Sequence, residues 1–176
     1  MNEPTAQLLQ TPPAFLSRFV SFLTDIRLPE KCQSGHTQLT RAIECPCGST
    51  GFYLEAAMRK ELKGVCRKQE NISFMPPIYT VCAACKQFTR LFDPALHGRN
   101  AEINPPDDHD DNYRLMRCTL EPGKVYVAYA YHDMQGINEL SARGIKNPED
   151  YFDSIVVLFA DSDGQNVEEV LSFRCA

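Results

Sequence analysis

Apolar residues recur at helical spacing near the start of the chain, at Phe15, Leu16, Phe19, Val20, Leu23 and Ile26, just after Pro12 and Pro13. Proline is tolerated at a helix start because its missing N–H would have no partner there. Pro29 ends the run. The pattern predicts an amphipathic helix over 13–27, with its apolar stripe packed on the rest of the fold. The period then shortens to two. Leu39, Arg41 and Ile43 alternate with Gln38, Thr40 and Ala42, which predicts a strand running into Cys45. Residues 52–58 read as a second strand or a short helix. Pro76 and Pro77 hold Met75 extended and lead into a strand over 78–81, and 86–92 reads as its return.

The second half alternates more regularly. Residues 113–120 predict a strand. Pro122-Gly123 predicts a turn, proline fixing φ and glycine accepting a positive one. Val125, Val127, Tyr129 and Tyr131 alternate with Tyr126, Ala128, Ala130 and His132, a strand pattern. A polar crossover comes next, with short helices over 137–142 and 148–152. The apolar run 155–160 predicts a central strand, Asp161 to Gly164 a turn, and 167–173 the last strand. The expected fold class is α+β: an N-terminal helix, a small β unit around the cysteines, and a C-terminal antiparallel sheet of two hairpins. The polar, proline-bearing stretch 99–112 is the expected boundary. It separates residues 1–98 from 113–176, within what can still be one compact domain.

Composition adds limits. A chain of 176 residues with 43% hydrophobic and 23% charged side chains is in the globular range and long enough for a proper core. Disulfides are not needed for folding. The net charge of −5 argues against a nucleic-acid binder, although residues 1–100 are net basic and 101–176 strongly acidic. No apolar stretch is long enough to span a membrane, and residues 1–10 lack a signal peptide's pattern. A cytoplasmic, reducing location is the resulting expectation, where paired cysteines serve metals or catalysis more than disulfides.

Eight cysteines therefore carry the candidate chemistry. Cys45-Pro46-Cys47-Gly48 and Cys82-Ala83-Ala84-Cys85 each place two thiols in a tight turn. Two such turns brought together by strands supply four sulfurs for a tetrahedral metal site. Gly48 permits the backbone that lets amide N–H groups approach bound sulfur. The constellation resembles a zinc ribbon over about residues 37–92, in which two cysteine knuckles sit at the tips of two hairpins. In the first knuckle one residue separates the cysteines. The second is followed by Lys86 and Gln87 rather than glycine. The resemblance implies a closed, structural Zn²⁺ held by Cys45, Cys47, Cys82 and Cys85. Core-filling cysteines or a redox pair at Cys82 and Cys85 are the competing readings. Cys32, His36 and Cys66 form a rival ligand reserve, and Cys118 and Cys175 read as core residues.

Other clusters have plainer readings. Asp107, Asp108, His109, Asp110 and Asp111 lack the spacing and central glycine of a calcium loop and read as solvated linker. Asp161, Asp163 and Gly164 read as a hairpin turn. His132 and Asp133, adjacent on a strand, point to opposite faces and do not form an acid–base pair. Asp93 and Gly98 read as a capped turn around His97. No serine elbow, phosphate loop or H-E-x-x-H motif occurs.

The expected function is a zinc-stabilised, non-enzymatic module that binds a protein partner. One alternative is nucleic-acid binding through Arg59, Lys60, Lys63, Arg67 and Lys68, with Phe52 and Tyr53 as stacking groups. Another is a metalloenzyme using fewer than four cysteines.

Overall fold

Period-two burial is the dominant local pattern, and among the described residues it places nine strands in two antiparallel sheets. The computed structural model describes residues 11–28, 38–59, 75–93, 113–146, 148 and 152–174. In chain order the strands are β1 (Val20–Leu23), β2 (Leu39–Glu44), β3 (Phe52–Arg59), β4 (Met75–Cys82), β5 (Phe88–Phe92), β6 (Tyr113–Arg117), β7 (Lys124–Tyr131), β8 (Phe152–Ala160) and β9 (Val167–Arg174). A 3₁₀ turn occupies Ala14–Leu16, and Met134–Ala142 forms α1, the one α-helix among the described residues. The five-stranded sheet runs β1-β2-β7-β8-β9 and the four-stranded sheet β5-β4-β3-β6.

The inner faces of both sheets share one core. Ile43, Val125, Val127, Tyr129, Ile155, Val157 and Leu171 come from the five-stranded sheet. Phe52, Leu54, Ala56, Ile78, Leu91 and Phe92 come from the four-stranded one. Burying such side chains is the main favourable term in folding. Buried Arg41 on β2 is held within this layer, its Nε donating to Tyr129 Oη at 3.0 Å and its guanidinium reaching Ser21 O at 3.5 Å. β7 and β8 are apolar on both faces. Tyr126, Ala128, Val156, Leu158 and Ala160 form a second cluster, with Ile26 and Leu28 packed against it from the segment after β1.

Two expectations are overturned. The predicted N-terminal helix over 13–27 is a 3₁₀ turn followed by strand β1, so the fold class is mostly β rather than α+β. The helical spacing arose because the turn buries Phe15 and Leu16 while Phe19 closes it with N–H to Leu16 O at 2.9 Å. Phe15 sits between the sheets, edge-on to Phe92 of β5 at 5.7 Å and to Phe152 of β8 at 5.5 Å. Phe19 does the same to Phe52 at 6.1 Å. A continuous helix would have kept these rings on one stripe. The next four residues, with valine, phenylalanine and leucine, extend along β2 instead, pairing Val20 with Glu44 and Leu23 with Arg41.

The predicted C-terminal sheet of two hairpins is also wrong. β6 leaves it for the four-stranded sheet, where Arg117 faces Glu55 of β3. β7, β8 and β9 join β2 and β1, with Thr40 opposite Ala128 and Ala42 opposite Tyr126. Both sheets thus take strands from either side of residues 99–112, which lie outside the described residues. Most other elements fall near their expected places: β2, β4, β5, β6, β7, β8 and β9 overlap the predicted strands, β3 takes the strand form of a segment expected as strand or short helix, and α1 overlaps the helix at 137–142.

Asp133 caps α1, its Oδ1 accepting from Gly136 N at 2.9 Å. Asp133→Ala is expected to lower stability by about 1 kcal/mol, the usual worth of a carboxylate N-cap, read from urea denaturation midpoints.

Candidate metal centre

The cysteine turns are built alike from local hydrogen bonds. At the end of β2, Cys45 N–H donates to Ser49 O at 2.9 Å and Gly48 N–H to Cys45 O at 2.8 Å, with Gly48 at φ +87°. At the end of β4, Cys82 N–H donates to Gln87 O and Lys86 N–H to Cys82 O, both at 3.0 Å. Lys86 takes φ +62° and so performs the reversal glycine makes in the first turn. A lysine there costs about 1 kcal/mol in backbone strain. Its Nζ donates back to Ala83 O at 2.6 Å. The turns are also joined to each other, Ala83 N–H donating to Gly51 O at 2.9 Å.

This scaffold brings together all four predicted ligands. The sulfurs of Cys45, Cys47, Cys82 and Cys85 lie within 4.8 Å of one another. Cys45 Sγ to Cys85 Sγ and Cys47 Sγ to Cys82 Sγ are each 3.6 Å. A tetrahedral thiolate centre with metal–sulfur bonds of about 2.3 Å has sulfur–sulfur edges of about 3.8 Å. The cluster therefore fits one metal ion at its middle. Among the described residues it is the group of His, Cys, Asp and Glu side chains whose ligand atoms converge in this way.

The environments of the two buried thiols differ. Burial alone would raise the Cys82 thiol. The backbone N–H groups of Cys85 and Ala84, with the thiols of Cys85 and Cys47, outweigh burial and bring it down to about 6. Cys45 is pushed up to about 12, chiefly by burial. Backbone amides aimed at Cys82 thus stabilise a first thiolate. Four thiolates in this space would repel one another, and a cation among them would offset that charge.

The site also lies at a junction. The first turn carries the chain from β2 in the five-stranded sheet to β3 in the four-stranded sheet, and the second turn is the β4–β5 hairpin. Beside them, Phe52 and Gly123 exchange backbone hydrogen bonds of 2.8 and 2.9 Å, a further link next to the turns. In the zinc-ribbon resemblance both knuckles are hairpin tips. Here the second is one, and the first is a crossover between sheets.

The remaining predicted residues are spread over the fold. Cys118 is half-buried against the core, its thiol 3.6 Å from Met116 O and raised to about 12 by burial and then by the Glu55 charge. Cys32, His36, Cys66, His97, Gly98, Cys175 and the 107–111 cluster lie outside the described residues. So do Lys60, Lys63, Arg67 and Lys68. Asp161 forms a turn, accepting from Gln165 N at 2.8 Å and Asn166 Nδ2 at 2.6 Å, with Gly164 at φ +75°. His132 and Asp133 follow the end of β7 rather than lying on a strand: Asp133 caps α1, while His132 Nδ1 lies 3.7 Å from Asp153 Oδ1. This contact joins the segment after β7 to β8 and had no local signal in the sequence. Phe52, predicted as a stacking group, is only 1% exposed and belongs to the core. The Tyr53 ring is covered by the Arg117 guanidinium at 4.4 Å. No helix among the described residues is long and apolar enough to cross a membrane.

No protein-family model, no curated protein and no solved structure matches the chain.

Proposed function

We propose that Cys45, Cys47, Cys82 and Cys85 hold one Zn²⁺ in a closed structural site, and that the chain is a non-enzymatic module that binds a protein partner. The observation that carries the metal reading is the convergence of four thiols within 4.8 Å at the junction between the sheets. Thiolates in tetrahedral array suit zinc, and four of them leave no open position for a reacting water. This supports a structural site over a metalloenzyme with an incomplete ligand set. Metal content by elemental analysis tests it: one zinc per chain is expected, and a zinc-free chain purified from zinc-supplemented medium would contradict it.

The partner reading rests on β1. Among the described residues it is the edge of the five-stranded sheet, and its Val20, Phe22 and Leu23 are 43%, 51% and 47% exposed. Val20–Leu23 contains no charge, proline or bulge, the devices that normally block strand addition at an edge. Such an edge suits an extended peptide that adds its own strand, with Phe22 and Val20 as side-chain anchors. Nucleic acid is disfavoured by the net charge of −5, the burial of Phe52 and the covered ring of Tyr53. Peptides selected from a display library on the zinc-loaded chain are expected to bind at least ten-fold more weakly to Phe22→Lys. Undiminished binding to that variant, or a salt-dependent gel shift with single-stranded DNA, would count against the reading.

A further inference from the structure

The four sulfurs are not equivalent. Cys47 and Cys85 are exposed, whereas Cys45 and Cys82 are buried, 3% and 1% exposed. Each exposed sulfur lies 3.6 Å from a buried one on the opposite turn, Cys85 from Cys45 and Cys47 from Cys82. A soluble oxidant therefore meets Cys47 and Cys85 first. A disulfide needs about 2.05 Å between sulfurs, so each pair closes with a shift of about 1.5 Å once no metal stands between them.

Building on the zinc reading, we infer that Cys47 and Cys85 are modification sites for hydrogen peroxide and that Cys82 and Cys45 are their resolving thiols. Peroxide then exchanges the metal clamp for two disulfides between the turns, Cys47–Cys82 and Cys45–Cys85. In the first step the exposed thiolate attacks a peroxide oxygen and the O–O bond breaks. The sulfur becomes a sulfenic acid, and the departing hydroxide takes a proton to give water. In the second step the buried thiolate attacks that sulfur. The S–S bond forms, the S–O bond breaks, and hydroxide again leaves as water after taking a proton. Over both pairs, four zinc-bound thiolates consume two peroxides and four protons. They yield two disulfides, four waters and free Zn²⁺.

The alternative product is a Cys82–Cys85 disulfide within one turn. The usual C-x-x-C redox pair opens a helix. Here the pair closes a β-hairpin and Lys86 turns straight into β5. The two cross-turn bonds also do what the metal does, joining the crossover between sheets to the β4–β5 hairpin. An oxidised, zinc-free chain therefore keeps its fold, whereas a reduced, chelated chain does not.

The test is peroxide titration of the full, zinc-loaded chain. Free zinc is read with a chromophoric chelator, and sulfenic acids are trapped with a dione reagent. Disulfides are assigned by fragmentation between the cysteines of each turn. The expected result is one zinc released per two peroxides. Trapping should favour Cys47 and Cys85 at least ten-fold over Cys45 and Cys82, with cross-links 47–82 and 45–85. A zinc-loaded chain giving mainly Cys82–Cys85, cross-links to other cysteines, or sulfinic acids without disulfides overturns this inference and leaves the zinc reading standing. A chain that holds no zinc before peroxide is added overturns both.

Discussion

Cys82→Ser is expected to lose its metal and to unfold cooperatively well below the wild-type melting temperature. Cys82 ends β4, is 1% exposed, and receives the backbone N–H groups of Cys85 and Ala84. A serine hydroxyl there supplies no thiolate and breaks the four-sulfur set. Structural zinc sites of this kind contribute on the order of 10 kcal/mol of folding free energy at neutral pH. That is comparable to the whole stability of a typical domain, about 5–15 kcal/mol. Losing one ligand removes most of it, because the remaining three thiolates repel one another at the same junction. Circular dichroism melts with parallel zinc analysis read both effects. Cys118→Ser is the control: its thiol lies outside the cluster, against Met116 O, so zinc content should stay at the wild-type level. Equal zinc content in Cys82→Ser and wild type would place the ligands elsewhere.

Gly123→Ala is expected to destabilise the chain by about 3 kcal/mol, at the upper end of overpacking costs. A Cβ at this position would lie 2.1 Å from Ala160 O and 2.4 Å from the Phe159 ring. The ring could rotate away. The carbonyl belongs to β8, where Ala160 pairs with Lys124, and it cannot withdraw without disturbing that ladder. Gly123 must also stay in place to exchange two hydrogen bonds with Phe52. The substitution thus strains the link between the sheets next to the metal centre. Urea denaturation of the zinc-loaded protein measures the cost. A shift under about 0.5 kcal/mol would mean that Gly123 has room for a methyl group and that the approach to β8 is looser than 2.1 Å.

The parts legible in the sequence were those with short-range signals. Cys45, Cys47, Cys82 and Cys85 were recognisable because two residues in one tight turn can only aim at one place. The strands β7 and β8 were recognisable because Val125 to Tyr131 alternate and Ile155 to Ala160 run apolar, as a doubly covered interior strand requires. The failures share a cause. Phe15, Leu16 and Phe19 fit a helical period, yet they are buried because two sheets need a plug at their edges, and no window of the chain records that need. The partners of β2 and β6 are likewise set by the crossover at the first cysteine turn. Within the second cysteine turn, which the spacing did signal, Lys86 answers to a demand of the same kind. Its left-handed backbone is imposed by the closure from Cys82 to Gln87, against the preference of its own side chain.

Whether these four cysteines hold a metal is decided by native mass spectrometry of the full chain, before and after chelation and with thiol alkylation at each stage. One Zn²⁺ per chain is expected, with Cys45, Cys47, Cys82 and Cys85 protected from alkylation until chelation removes the ion and exposes all four together. A chain without bound metal, or one whose metal leaves without any change in the reactivity of these four cysteines, would contradict it.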